Sequence, residues 1–282
     1  MLAVIIGVSS ALVFGAADFL GGLGAKRISA IRVTAISAAA GLAALLVVSA
    51  LLGGEWSREA MLLGMLSGVS GSLGIVLLYA CLAIGPMSIL SPVTAVVSAV
   101  VPLTVGLARG EALGPVGYIA IGIALVAVVL VGFVPEKGAV RPSLRGILMA
   151  VASGAFIGAF LVIIDLTPDD SGLIPLVFDR ATRTVLMLAA VGALLLFRRA
   201  GSAGWRPGIA FALACGVVDA VANVGLLIGV RLGDLSVMSV LTALYPAGTI
   251  ILAAIVLKER IAVVQYIGLA LAITAAAMLA LA

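Results

Sequence analysis

The chain has 282 residues, 64% of them hydrophobic and 10% charged, with a formal net charge of +4 and a mean hydropathy of +1.39. A soluble domain carries about a quarter charged residues, so this composition excludes a water-soluble monomer and points to an integral membrane protein. Histidine is absent, and Cys81 and Cys215 each lie inside an apolar segment, which excludes a histidine-dependent triad, a His-ligated zinc site and a disulfide framework.

Apolar runs of about 20 residues, the length that crosses a bilayer, recur from end to end. They are expected near 3–23, 31–52, 60–82, 87–108, 114–134, 146–164, 173–196, 208–230, 235–257 and 262–281. Each is about twice the length of a barrel strand and lacks its alternation, so helices are the expected spanning form. No charged segment precedes MLAVIIGV, so residues 1–20 read as the first span and not as a signal peptide.

The first span holds Asp18 among Gly15, Gly21, Gly22 and Gly24. Glycines allow close helix approach, and a carboxylate at mid-span costs ~3 kcal/mol to insert. It either faces a cavity or pairs with Lys26 or Arg27 near the helix end. In the third span Gly64, Gly68 and Gly71 read as a packing surface. Gly68-Val69-Ser70-Gly71 matches the GxSG of intramembrane serine proteases, but the chain has no histidine to act as base. Tyr79 and, in the fourth span, Thr94 offer hydroxyls, while Pro92 and Pro102 predict kinks because proline removes a backbone donor. Glu111 precedes the fifth span, where a helix dipole favours a carboxylate; Glu259 stands likewise before the tenth.

Asp179, Arg180 and Arg183 open the seventh span. Arg180 reads as snorkelling to the interface; Arg183, one turn deeper, would attract Asp219, Asp18 or a substrate carboxylate. Asp219 and Asn223 sit four residues apart in the eighth span, on one helix face. They offer an acceptor and donors to a polar ligand or water chain, or else an interhelical bond worth only about 0.6–2 kcal/mol in membranes. In the ninth span Thr242 and Tyr245 flank a third kink at Pro246. A kink in a moving protein is a natural gate.

A shift of 148 residues superimposes the halves: Arg32 on Arg180, Thr34 on Thr182, Ser88 on Ser236, Thr94 on Thr242, Glu111 on Glu259 and Tyr118 on Tyr266. Scarce residues match, not only Ala and Leu. A five-span unit is odd in number, so its second copy enters the membrane inverted. The expected fold is all-α, with ten transmembrane helices in two inverted five-helix repeats, 1–134 and 146–282, joined by a polar linker at 135–145. Inverted repeats typically place a substrate site between the halves near the midplane. Lys and Arg gather in the odd-numbered loops (Lys26, Arg27, Lys137, Arg141, Arg198, Arg199 and Lys258 among them), while the even loops hold only Arg58, Arg109 and Arg231. The positive-inside rule then puts odd loops in the cytoplasm and both termini outside.

The stretch GPMSILSPVTAVVSAVVP, and the run of Leu244–Pro246, Glu259–Arg260 and Gln265–Gly268, resemble the EamA family of the drug/metabolite transporter superfamily over essentially the whole chain. The first copy departs from the pattern, with Ser98 opposite Pro246 and Gly117 opposite Gln265. The resemblance implies a multi-pass carrier of the plasma (bacterial inner) membrane that moves, often exports, amino acids or similar polar solutes, with a cytoplasmic C-terminus, against the charge count. The expected site residues are Asp18, Tyr79, Thr94, Arg183, Asp219, Asn223, Thr242 and Tyr245, with gating kinks at Pro92, Pro102 and Pro246. The expected cavity is lined by the first, third, fourth, sixth, eighth and ninth spans. The expected partners are a small-molecule solute, a proton as a candidate co-substrate and the lipid bilayer, in a monomer or homodimer, with no nucleic acid. No cofactor is expected, and no G-x-x-x-x-G-K-[ST] occurs through which ATP could drive it. An enzyme is not expected, since only carboxylates are available for catalysis; a structural scaffold that uses Asp219 and Asn223 as interhelical glue is the alternative.

Overall fold

The structure is a computed structural model and describes residues 1–28, 30–84, 87–133, 142–197, 206–258 and 260–281. Among them, apart from one 3-10 turn at Asp169–Ser171, the regular elements are α-helices: α1 (Leu2–Ala25), α2 (Ala30–Leu52), α3 (Arg58–Ile84), α4 (Met87–Ala108), α5 (Pro115–Gly132), α6 (Leu144–Asp165), α7 (Ile174–Phe197), α8 (Arg206–Leu232), α9 (Leu235–Thr242), α10 (Tyr245–Val256) and α11 (Val263–Leu281). The described residues contain nine segments long and apolar enough to cross a membrane, α9 and α10 counting together as one. The 24-residue α7, with Asp179, Arg180 and Arg183 in its first half, is not among them.

Helix ends follow local chemistry. Pro115 opens α5, where its missing N–H costs nothing. The Ser143 hydroxyl accepts the Gly146 N–H and caps α6. The ninth expected span is two helices. Pro246 has no N–H for the carbonyl four residues back, and the chain turns at Ala243–Leu244, where Leu244 N–H reaches only Leu241 O at 3.1 Å. By contrast α4 runs unbroken through Pro92 and Pro102.

The bundle pairs α1 with α8 and α10, α3 with α6 and α7, α4 with α6 and α9, α2 with α7 and α8, and α5 with α11. Glycines set the closest crossings. A Cβ on Gly15 would collide with the backbone of Tyr245 and Thr249, and Gly64 and Gly68 lie against the carbonyls of Pro175 and Asp179 on α7. One core gathers Ala95, Ala99, Ala124, Val128, Val240 and Leu241; another gathers Leu45, Leu161, Leu176, Leu227 and Met238. Leu2, Ile5, Leu51, Val185, Ile255 and Ile273 point outward, the surface a lipid environment requires.

The loops joining α2–α3, α4–α5, α6–α7 and α8–α9 lie on one face, here called the even face; the opposite ends of the helices define the odd face. Glu55 N–H donates to Asp170 O at 2.9 Å. Gly54 (φ 149°) and Gly172 (φ 55°) meet so closely that a Cβ on either would strike the other's loop. Arg109 pairs with Asp165 at 2.6 Å. Arg231 donates to Gly172 O, Pro168 O and Ser171 Oγ, each at 3.0 Å. Glu111 accepts the N–H groups of Leu235 at 3.0 Å and Ser236 at 2.9 Å. Glu111 therefore caps α9 of the other half, not the helix that follows it in sequence. These bonds tie all four even loops together. Glu259 and most of the 135–145 linker lie outside the described residues.

Candidate functional site: a central cavity open to the odd face

A cavity of about 510 Å³ runs from the bundle centre to the odd face, and an adjoining inner lobe of about 230 Å³ continues toward the even face. The outer lobe reaches Ala25, the last residue of α1, Gly132, the last of α5, and Gln265 near the start of α11, all at odd-face helix ends. The even face above the inner lobe is the one closed by the loop contacts.

Asp18 is exposed and lines both lobes. It forms no ion pair with Lys26 or Arg27, and among the described residues no hydrogen bond or ion pair reaches it. The remaining charges of the centre are matched. The Arg180 guanidinium donates to Asp219 Oδ2. Asn223 Nδ2 donates to the Asp219 carbonyl at 2.8 Å and to Oδ2 at 3.3 Å. Arg183 Nε lies 3.0 Å from Asp179 Oδ2, and Ser67 Oγ donates to Asp179 Oδ1 at 3.1 Å. The Arg183 guanidinium also lies 4.6 Å from the centre of the Phe160 ring, a cation–π contact. It crosses α3 at Gly71, where any Cβ would strike it.

Several expectations change in this geometry. Arg180 does not snorkel; it is buried and ion-paired at the centre, and it is a site residue that sequence reasoning missed. Its signal was its pairing with Arg32 under the repeat, read there as interfacial. Arg183 meets Asp179, one turn back on its own helix, not Asp219 or Asp18. Thr94 does not reach the cavity: its hydroxyl is buried and donates to Leu90 O at 3.1 Å and Ala150 O at 3.2 Å, joining α4 to α6. Of the prolines, Pro246 lines the outer lobe, while Pro92 and Pro102 are absent from its walls. The side chain of Tyr79 lies outside the described residues.

Asp219, Asn223, Thr242 and Tyr245 do come together, with Asp18 and Arg183, around the inner lobe. Thr242 Oγ1 is buried with no hydrogen-bond partner among the described residues. The wall is wider than the six spans expected. Thr34 and Ser37 of α2, Met187 of α7, Val131 of α5 and Gln265 of α11 contribute. Gln265 also joins α11 to α5 through Val131 O at 3.5 Å. Such a chamber can hold a small polar solute, offering it charged groups, hydroxyls and aromatic faces within an apolar shell. No group of His, Cys, Asp and Glu able to hold a metal occurs among the described residues.

No curated protein matches the chain. A solved crystal structure of a protein at 18% identity superposes with a TM-score of 0.78, covering 99% of this chain and 96% of that one, which establishes a shared fold. The profile of the EamA-like transporter family matches residues 144–281. Residues 144–281, from α6 to α11, are thus similar to the EamA-like transporter family, in a chain whose described residues hold nine segments long and apolar enough to cross a membrane.

Proposed function

We propose that the chain is a secondary carrier of the plasma membrane, moving a small polar metabolite by alternating access through the central cavity, with export as the direction. The observation that carries this reading is the cavity itself: a chamber with ionised groups at the heart of an apolar bundle, open to the odd face and closed to the even one. In this reading α7 is the tenth span, its three charges tolerated because they face the chamber and not lipid. The two halves are inverted repeats. Supporting that, most of the packed pairs exchange into one another when the first five spans are swapped for the second: α1–α8 becomes α6–α3, α2–α8 becomes α7–α3, and α5–α11 becomes itself. The charge count makes the odd face cytoplasmic, so the described conformation is inward-open. A scaffold would explain the ion pairs as glue but leaves Asp18 without a reason to face a cavity.

Cys215 provides the test. It lines the outer lobe, whereas Cys81 is fully buried. Purified chain in proteoliposomes is screened for flux of pooled labelled amino acids and small metabolites, with and without a pH gradient. Alkylating Cys215 with a bulky maleimide fills the chamber and should stop flux at least tenfold, and Cys215→Ser should make flux insensitive. Flux that survives alkylation would exclude this cavity as the route; no flux of any solute by folded protein would favour the scaffold.

A further inference from the structure

We propose that the solute this cavity accepts is an organic cation carrying a protonated amine and no carboxylate, held by Asp18. The inference rests on the carrier reading above and narrows its solute from polar metabolites in general to one charge class.

The argument is the balance of charge at the centre. Among the described residues, three carboxylates, Asp18, Asp179 and Asp219, share the chamber and its wall with two guanidiniums, Arg180 and Arg183. Each guanidinium is committed. Arg180 bonds Asp219, and Arg183 bonds Asp179 while its face lies on Phe160. One negative charge is left over, and it is Asp18, the carboxylate exposed to both lobes. An unmatched carboxylate at this depth is costly. A cationic solute relieves that cost on entry, and the relief is binding energy.

The other charge classes lack it. A zwitterion brings a carboxylate into a chamber where Asp219 and Asp179 already match the charge of Arg180 and Arg183, so it competes with those two carboxylates for the same cations, and displacing either one strands a buried charge. An anion adds a second unmatched charge beside Asp18. Specificity thus arises as much from what is excluded as from what is attracted. The walls near Asp18 suit an ammonium group. Thr242 Oγ1, which has no hydrogen-bond partner among the described residues, offers an acceptor to an N–H. Tyr245 and Phe14 line the same lobe and offer aromatic faces.

The test uses the full chain, purified in detergent for calorimetric binding and reconstituted for flux. The probes are charge-matched sets on one frame: phenethylamine, phenylalanine and 3-phenylpropionate, and a smaller set of propylamine, alanine and propionate. An amine should bind, its zwitterionic and anionic counterparts should bind at least tenfold more weakly, Asp18→Asn should cost tenfold or more in affinity, and Asp18→Glu should retain binding. Should Asp18→Asn fail to fold, the order among the three charge classes in the wild type decides. Zwitterions or anions binding as well as amines, an Asp18→Asn protein that binds unchanged, or no amine binding at all would each overturn the proposal. The flux arm separates the two readings. Asp18-dependent amine binding without flux keeps the site and removes the carrier; flux of zwitterions independent of Asp18 keeps the carrier and removes the cation.

Discussion

At the scale of single residues, Asp219 stands at the junction of two relationships, one local and one distant. Asn223, four residues along the same helix, binds it through both backbone and side chain, and the spacing alone foretold that shared face. Arg180 reaches it from another helix. No periodicity announces that partner, because α7 and α8 are brought into register by packing on α2: Gly216 of α8 lies on the Ser37 carbonyl and Gly41 on the Gly216 carbonyl, with Arg180 of α7 alongside. Asp18 was legible as an anomaly for the same reason that it matters, its cost in the membrane; its lack of a partner was not. Removing one member of a buried ion pair strands the other, at a cost of about 3–5 kcal/mol. Asp219→Asn should therefore lower the thermal unfolding temperature markedly in detergent. Arg180→Gln combined with Asp219→Asn should recover most of the loss. If the double variant is less stable than Asp219→Asn alone, the ion pair is not what holds these groups. The same arithmetic makes Asp219→Asn a poor probe of transport, since lost activity would follow from lost structure.

Elements were the most legible level. Hydropathy located the helices to within about two residues, because lipid-length apolar runs leave few alternatives. Proline was a less faithful guide. Pro246 ends a helix, whereas Pro102 sits within α4, where α6 packs closely because Gly158 leaves room for Val101 and the Pro102 ring. The surroundings, not the proline, decide whether a helix breaks. The break isolates α9 as an eight-residue unit whose first two amides are held by Glu111. Hydrogen bonds to a charged group are worth about 1.5–3 kcal/mol, and 1.4 kcal/mol is a factor of ten in population. Glu111→Ala should thus shift the protein tenfold or more toward opening at the even face. The readout is a cysteine at Ser239, which lines the inner lobe, in a background of Cys81→Ser and Cys215→Ser. A membrane-impermeant thiol reagent applied to the even face should label it at least tenfold faster once Glu111 is replaced. Equal labelling would mean that Arg109–Asp165 and the Arg231 contacts hold the face closed without Glu111.

For the whole molecule, composition and a 148-residue echo announced a helical membrane protein, and the family match over residues 144–281 agrees with the stretch that kept its motifs best. The closed even face was invisible in sequence. Most of its ties have a backbone amide or carbonyl on at least one side, in loops far apart in the chain, and those groups carry no residue signature. The leftover negative charge of the central cavity has an electrical consequence. In the proposed carrier a loaded cavity would be neutral when its occupant is a monovalent cation, whereas an empty cavity with ionised Asp18 would carry a fixed charge of minus one through the membrane field as the protein changes state. A whole elementary charge crossing the full field gains or loses about 2.3 kcal/mol per 100 mV. The membrane potential should therefore act on the return of the empty carrier and spare the loaded step. Cation-for-cation exchange in liposomes clamped with potassium and valinomycin should proceed at the same rate at any voltage, while net flux, which includes the empty return, should change severalfold over 100 mV. A voltage-dependent exchange would place the moving charge elsewhere than in the cavity.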